Sequence, residues 1–105
     1  YIGDHCHLHA GVKIGKEAQI GKHCHFHAGV QIGDYVTIGE HNHFHMGVSV
    51  KNGATVEHHS HFHMGASVGS GAVVGRNCNV RMGAKIKENA IVPDGTTVGI
   101  GSNYG

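Results

Sequence analysis

Residues 23–40 read HCHFHAGVQIGDYVTIGE, and within them Phe26, Ile32 and Ile38 stand six apart. The rhythm continues in both directions. Backward it takes Ile20, Ile14, Leu8 and Ile2; forward it takes Phe44, Val50, Val56, Phe62, Val68, Val74, Val80, Ile86, Val92, Val98 and Tyr104. The chain is 39% apolar, so an unbroken register of 18 apolar residues is no accident of composition; chance would give it with a probability on the order of 10⁻⁸. Two residues ahead of each large side chain stands a small or medium one, as with Cys6, Val12, Ala18, Cys24, Val30 and Val36. A spacing of two puts both on the same face of a strand. Gly, Asn, Asp or Pro often follows the large residue, as in Ile14-Gly15, Ile32-Gly33 and Val92-Pro93, and supplies a corner.

This hexapeptide rhythm resembles the left-handed parallel β-helix family, which includes bacterial acyltransferases and γ-class carbonic anhydrases. The resemblance covers nearly the whole chain. It implies an all-β solenoid in which three hexads make one triangular coil of 18 residues. The 105 residues then form a single domain, 1–105, of about six coils. At ~4.8 Å per stacked strand the prism would be roughly 28 Å long. Stacking sorts the interior into three ladders. The first is Leu8, Phe26, Phe44, Phe62, Val80 and Val98. The second is Ile14, Ile32, Val50, Val68, Ile86 and Tyr104. The third is Ile2, Ile20, Ile38, Val56, Val74 and Val92. A solenoid buries a continuous core between neighbouring coils, so a chain this small can still be stable. Both ends would expose strand edges, which invite end-to-end pairing.

Histidine is 13 of 105 residues. Twelve fall in one repeated pattern: His5-Cys6-His7-Leu8-His9, His23-Cys24-His25-Phe26-His27, His41-Asn42-His43-Phe44-His45 and His59-Ser60-His61-Phe62-His63. The second and fourth residues of each belong to the inward columns. The first, third and fifth are then expected to point outward, giving three columns of four on one face: His5, His23, His41, His59; His7, His25, His43, His61; and His9, His27, His45, His63. The fifth coil replaces the row with Asn77, Asn79 and Arg81. His58 falls on a corner and reads as incidental. The other outward columns, such as Lys13, Gln31, Ser49, Ser67 and Lys85, share no chemistry. A recent duplication would have copied all three faces alike, so the grid is a face-specific choice, made by selection or by design.

Imidazole suits Zn²⁺, Cu²⁺ and Ni²⁺, with Cu²⁺ favoured by the Irving–Williams order. A His-x-His pair on a strand can place two nitrogens on one metal, and a histidine from the next coil can be the third. The reading is therefore a metal-binding array of twelve histidines taking divalent transition metal, zinc or copper foremost. The competing structural reading is a solvated polar face whose imidazoles stack on one another. A tuned hydrolytic zinc site needs carboxylates or carbonyls to fix its imidazoles. Only Asp4, Glu40 and Glu57 lie near the edges of the grid, so no catalytic residue is assigned. The expected pH response is a broad titration, with stability rising from about pH 4 to 7 as the crowded imidazoles lose their charge.

The family resemblance implies enzyme readings as the alternative. The corners His45-Met46-Gly47-Val48, His63-Met64-Gly65-Ala66 and Arg81-Met82-Gly83-Ala84 look like the Met-Gly-Ala corners of γ-class carbonic anhydrases. In that family zinc histidines are shared across a trimer interface, one in a corner and another five residues on, and no matching pair sits in these corners. The acyltransferases form trimers with a histidine base in a cleft between subunits, and with coenzyme A or an acyl carrier along the seam. One histidine of the grid could play that part in a homotrimer, leaving eleven unexplained.

A formal net charge of +1 excludes a strong basic patch for nucleic acid or acidic lipid near pH 7. No stretch approaches 18 apolar residues, so no membrane span is expected. No signal peptide is visible, and a natural protein of this kind would be expected in the cytoplasm. Three cysteines, Cys6, Cys24 and Cys78, are an odd count and fall in an inward column, so they read as buried thiols rather than a disulfide framework. Met46, Met64 and Met82 form a corner column beside the grid, where a His–Met pair would suit Cu(I).

Overall fold

The structure, a computed structural model, describes residues 3–104. Among the described residues each hexad from His7 onward contributes one two-residue strand, and these 17 strands stack into three parallel sheets. One sheet holds His7–Leu8, His25–Phe26, His43–Phe44, His61–Phe62, Asn79–Val80 and Thr97–Val98. The second holds Lys13–Ile14, Gln31–Ile32, Ser49–Val50, Ser67–Val68, Lys85–Ile86 and Asn103–Tyr104. The third holds Gln19–Ile20, Thr37–Ile38, Thr55–Val56, Val73–Val74 and Ile91–Val92. Every pairing is in register at a separation of 18 residues, so like stacks on like: His25 on His43, Phe26 on Phe44, Val50 on Val68. The prism measures 30 × 20 × 20 Å, in keeping with the length expected of stacked coils. No helix among the described residues is long and apolar enough to cross a membrane.

The expected ladders form the core. Phe26, Phe44 and Phe62 are fully buried, with ring centroids 4.9 and 4.7 Å apart and rings nearly parallel. The branched residues of the other two ladders close the triangle around them. The ends depart from the expectation. Leu8 is 46% exposed because its strand has a stacked neighbour on one side only, and Ile14 and Tyr104 are half-buried for the same reason. Ile2 lies outside the described residues.

All three corners turn through the left-handed region. One corner column is all glycine, Gly11, Gly29, Gly47, Gly65, Gly83 and Gly101, with φ between 66° and 79°. There the chain needs a conformation that costs an L-residue roughly 1–2 kcal/mol. A second corner uses Glu17, Tyr35 and Asn89 besides glycine. The third uses His5, His23, His41, His59 and Asn77, with φ between 55° and 62°, and then Gly95 at 74°. Histidine and asparagine are among the few non-glycine residues enriched in this region. The first histidine column therefore has a backbone role, and Asn77 continues it in the fifth coil.

Candidate metal-binding face

The three histidine columns exist as continuous stacks. In the middle column His7, His25, His43 and His61 have ring centroids 4.6, 4.8 and 4.9 Å apart. The first column, His5, His23, His41 and His59, is spaced at 4.9–5.0 Å. The third, His9, His27, His45 and His63, is spaced at 5.1–5.2 Å. Adjacent rings lie within 9° of parallel throughout. These spacings are close to the strand separation of about 4.7–4.9 Å, because in-register pairing gives every copy the same rotamer on the same pitch.

The columns differ in what holds them. Only the middle one lies within strands. The third follows directly and still joins the ladder, for the His27 N–H donates to the Phe44 carbonyl and the His45 N–H to that of Phe62, both at 2.9 Å. The first column does not lie on the strand, contrary to the flat face expected from alternation. Its backbone has turned the corner, and the N–H groups of His23, His41 and His59 point back one coil, to the carbonyls of Asp4, Lys22 and Glu40. Strict period-two alternation assumed a strand of five residues, whereas the ladder here is only two or three residues wide.

Behind the imidazoles runs the inward column of Cys, Asn and Ser expected from alternation, and hydrogen bonds hold it. The Cys6, Cys24 and Cys78 thiols and the Ser60 hydroxyl each donate to a corner carbonyl 15 residues on: those of Gly21, Gly39, Pro93 and Gly75. Asn42 bridges differently, donating to the Gly39 carbonyl and accepting the Ser60 N–H at 2.7 Å. No buried side-chain nitrogen or oxygen among the described residues lacks a partner. Burial, with Cys6 as a neighbour, pushes the Cys24 thiol up to about 11, so it stays protonated. A metal needs the thiolate, so Cys24 is structural.

His58 has a specific role after all. Its Nδ1 accepts the Glu40 N–H at 2.8 Å, as Asp34, Asn52 and Asp94 accept the N–H of Lys16, Asp34 and Arg76 at equivalent corners. The ring also lies where a Cβ on Gly39 would meet its Nδ1 at 2.6 Å. The signal was there to be read: His58 occupies the same place in its hexad as Asn52 and Asp94 do in theirs.

Partial burial lowers the pKa of His25, His43 and His45 from the ordinary 6.5, and repulsion from neighbouring imidazolium groups lowers it further. For His25 the repelling neighbours are His7, His27, His9 and His23, drawn from all three columns.

Among the described residues, no three His, Cys, Asp or Glu side chains already converge on a common metal position. Geometry explains why. Parallel rings hold their equivalent nitrogens about one ring spacing apart, at least 4.6 Å. Two nitrogens on one zinc, each at 2.0–2.1 Å, can be at most about 4.2 Å apart and about 3.4 Å in a tetrahedral site. The rings must tilt together by roughly an ångström, a small rotation for side chains at the surface. A surface depression of about 750 Å³ lies elsewhere, on the second sheet, where Lys51, Lys85, Lys87 and Glu88 are among the lining residues. It contains no histidine.

The family described as "Bacterial transferase hexapeptide (six repeats)" matches residues 11–44. No curated protein sequence matches the chain. Among solved structures, a mutant GDP-perosamine N-acetyltransferase from Caulobacter crescentus, in complex with CoA and GDP-perosamine, is 20% identical with a TM-score of 0.91. That match covers 98% of this chain and 50% of the other. The acetyltransferase domain of PglB from Neisseria gonorrhoeae is 11% identical with a TM-score of 0.89, covering 92% of this chain and 47% of that one. The chain thus spans about half the length of these two structures. The fold is the hexapeptide-repeat left-handed parallel β-helix that bacterial acyltransferases share.

Proposed function

We propose that this hexapeptide-repeat β-helix is a metal-binding solenoid whose stacked imidazoles coordinate divalent transition ions, Zn²⁺, Cu²⁺ or Ni²⁺. The reading rests on twelve imidazoles in three continuous columns, a stacking that a solvated face would share, with neighbouring rings only about an ångström too far apart to meet on one ion. Twelve histidines are far more than one general base requires, and solubility alone does not call for them. The lowered pKa values of His25, His43 and His45 keep these groups neutral, hence ligating, near pH 7. Sites that share ligands along a column are equivalent to one another, so the face suits storage or buffering of several ions rather than one tuned catalytic centre.

X-ray absorption of the zinc-loaded protein at pH 8 tests the chemistry of the ligands. The expected spectrum shows imidazole multiple scattering from at least two rings per zinc and no sulfur. Sulfur-dominated scattering would place the metal on the thiols and overturn the reading.

The likeness to acetyltransferase structures favours a second reading. In it, copies of this repeat assemble as a trimer and one imidazole serves as a base at the seam, with coenzyme A alongside. Saturable coenzyme A binding by a trimeric species, with no uptake of zinc, would favour that reading over the first.

A further inference from the structure

A second donor set runs beside the third imidazole column. Met46, Met64 and Met82 stand at successive corners, each about half exposed, between 48% and 52%. The corners are locked in register, since the Gly65 N–H donates to the Met46 carbonyl and the Gly83 N–H to the Met64 carbonyl, both at 3.1 Å. The three thioethers therefore recur on the coil pitch, as the imidazoles do. Between the columns lies a shallow groove of about 150 Å³, lined by His27, His45 and His63 on one side and by Met46, Met64 and Met82 on the other.

The lining residues are histidines and methionines, with no carboxylate among them. Hard cations such as Mg²⁺ and Ca²⁺ find no oxygen ligand there. Zinc draws on thiolate, imidazole and carboxylate and gains little from a thioether. Soft thioethers select Cu(I), and imidazole also suits copper. We propose that this groove is a Cu(I) site of mixed imidazole and thioether ligation, distinct in metal preference from the rest of the histidine face.

The sequence bounds the site. In the second coil His27 is followed by Ala28, and in the fifth Met82 follows Arg81. Only the coils carrying His45-Met46 and His63-Met64 supply both donors on one rung. Arg81 places a fixed positive charge at one end, which limits how far a row of cations can extend.

The test uses the whole chain under anaerobic conditions, with copper supplied as a Cu(I)–acetonitrile complex and bicinchoninate as competitor. Wild type should hold Cu(I) with sulfur and nitrogen scattering in its X-ray absorption, saturating near two equivalents, one for each coil carrying both donors. The triple variant Met46→Leu, Met64→Leu, Met82→Leu keeps side chains of similar bulk at surface positions, and circular dichroism checks its fold. It should bind Cu(I) at least tenfold more weakly and lose the sulfur scattering, with zinc uptake at pH 8 unchanged. Unchanged Cu(I) affinity in the variant would overturn the proposal. So would sulfur scattering that survives it, which would assign the copper to Cys6, Cys24 or Cys78. The zinc measurement separates the two readings: loss of zinc binding in wild type overturns the divalent array and leaves the Cu(I) site standing on its own data.

Discussion

Phe44→Ala should destabilise the protein by about 3–5 kcal/mol, the range for a large aromatic removed from a packed core. Phe44 is fully buried and stacks on Phe26 above and Phe62 below at 4.9 and 4.7 Å. Its removal interrupts the ladder at mid-length, where neither neighbour can slide in without leaving its own coil. His43→Ala, one residue away, should change stability by less than about 1 kcal/mol in the absence of metal, because that side chain lies on the outer surface. Urea unfolding of the two variants beside wild type gives the comparison. Equal losses would mean that the inward and outward faces are reversed, since a slip of one residue exchanges them.

Acidification should lower the melting temperature, and zinc should raise it only where the imidazoles are neutral. His25, His43 and His45 have folded pKa values below the unfolded reference of 6.5. As pH falls below about 6.5 the unfolded chain takes up protons at these positions before the folded chain does. The unfolded state then binds more protons, so the stability present above that pH is lost as pH falls through the folded values. Zinc at about a hundredfold excess over its dissociation constant contributes about 2.7 kcal/mol per site. In a domain of this size that raises the melting temperature by on the order of 10 °C. The rise should be seen at pH 8 and be absent at pH 4.5, because protons and metal compete for the same nitrogens. A melting temperature that climbs on acidification, or a zinc effect equal at both pH values, would contradict the array.

The period of six disclosed the architecture because every coil repeats one physical requirement: a large apolar residue inward, a smaller one two places before it, and a corner after it. In-register stacking then follows, and with it the columns His7 to His61 and Phe26 to Phe62. Alternation was a poorer guide to strand length. It treated His23-Cys24-His25-Phe26-His27 as a five-residue strand, whereas the strand is His25–Phe26 and His23 sits at φ 60° on the corner. The ladder narrows because each side of the triangle must end in a left-handed turn within six residues. Hydrogen bonds that span 15 or 18 residues were also hidden, among them Asn42 to Ser60 and Cys24 to Gly39. They depend on which corner carbonyl or N–H the stacking brings near, not on the local pattern. The end effects on Leu8 and Tyr104 are likewise properties of the stack rather than of the hexad.

Equilibrium dialysis against micromolar Zn²⁺ at pH 8, followed by metal analysis, tests the central claim most directly. Two proteins are compared: wild type, and the variant with His7→Gln, His25→Gln, His43→Gln and His61→Gln. The middle column lies between the other two, and His25 interacts with neighbours in both. The account predicts more than one zinc per wild-type chain, about four if three imidazoles serve each ion and about six if two do. It predicts loss of most of that zinc in the variant, with the fold intact by circular dichroism. Equal zinc in the two proteins would contradict it.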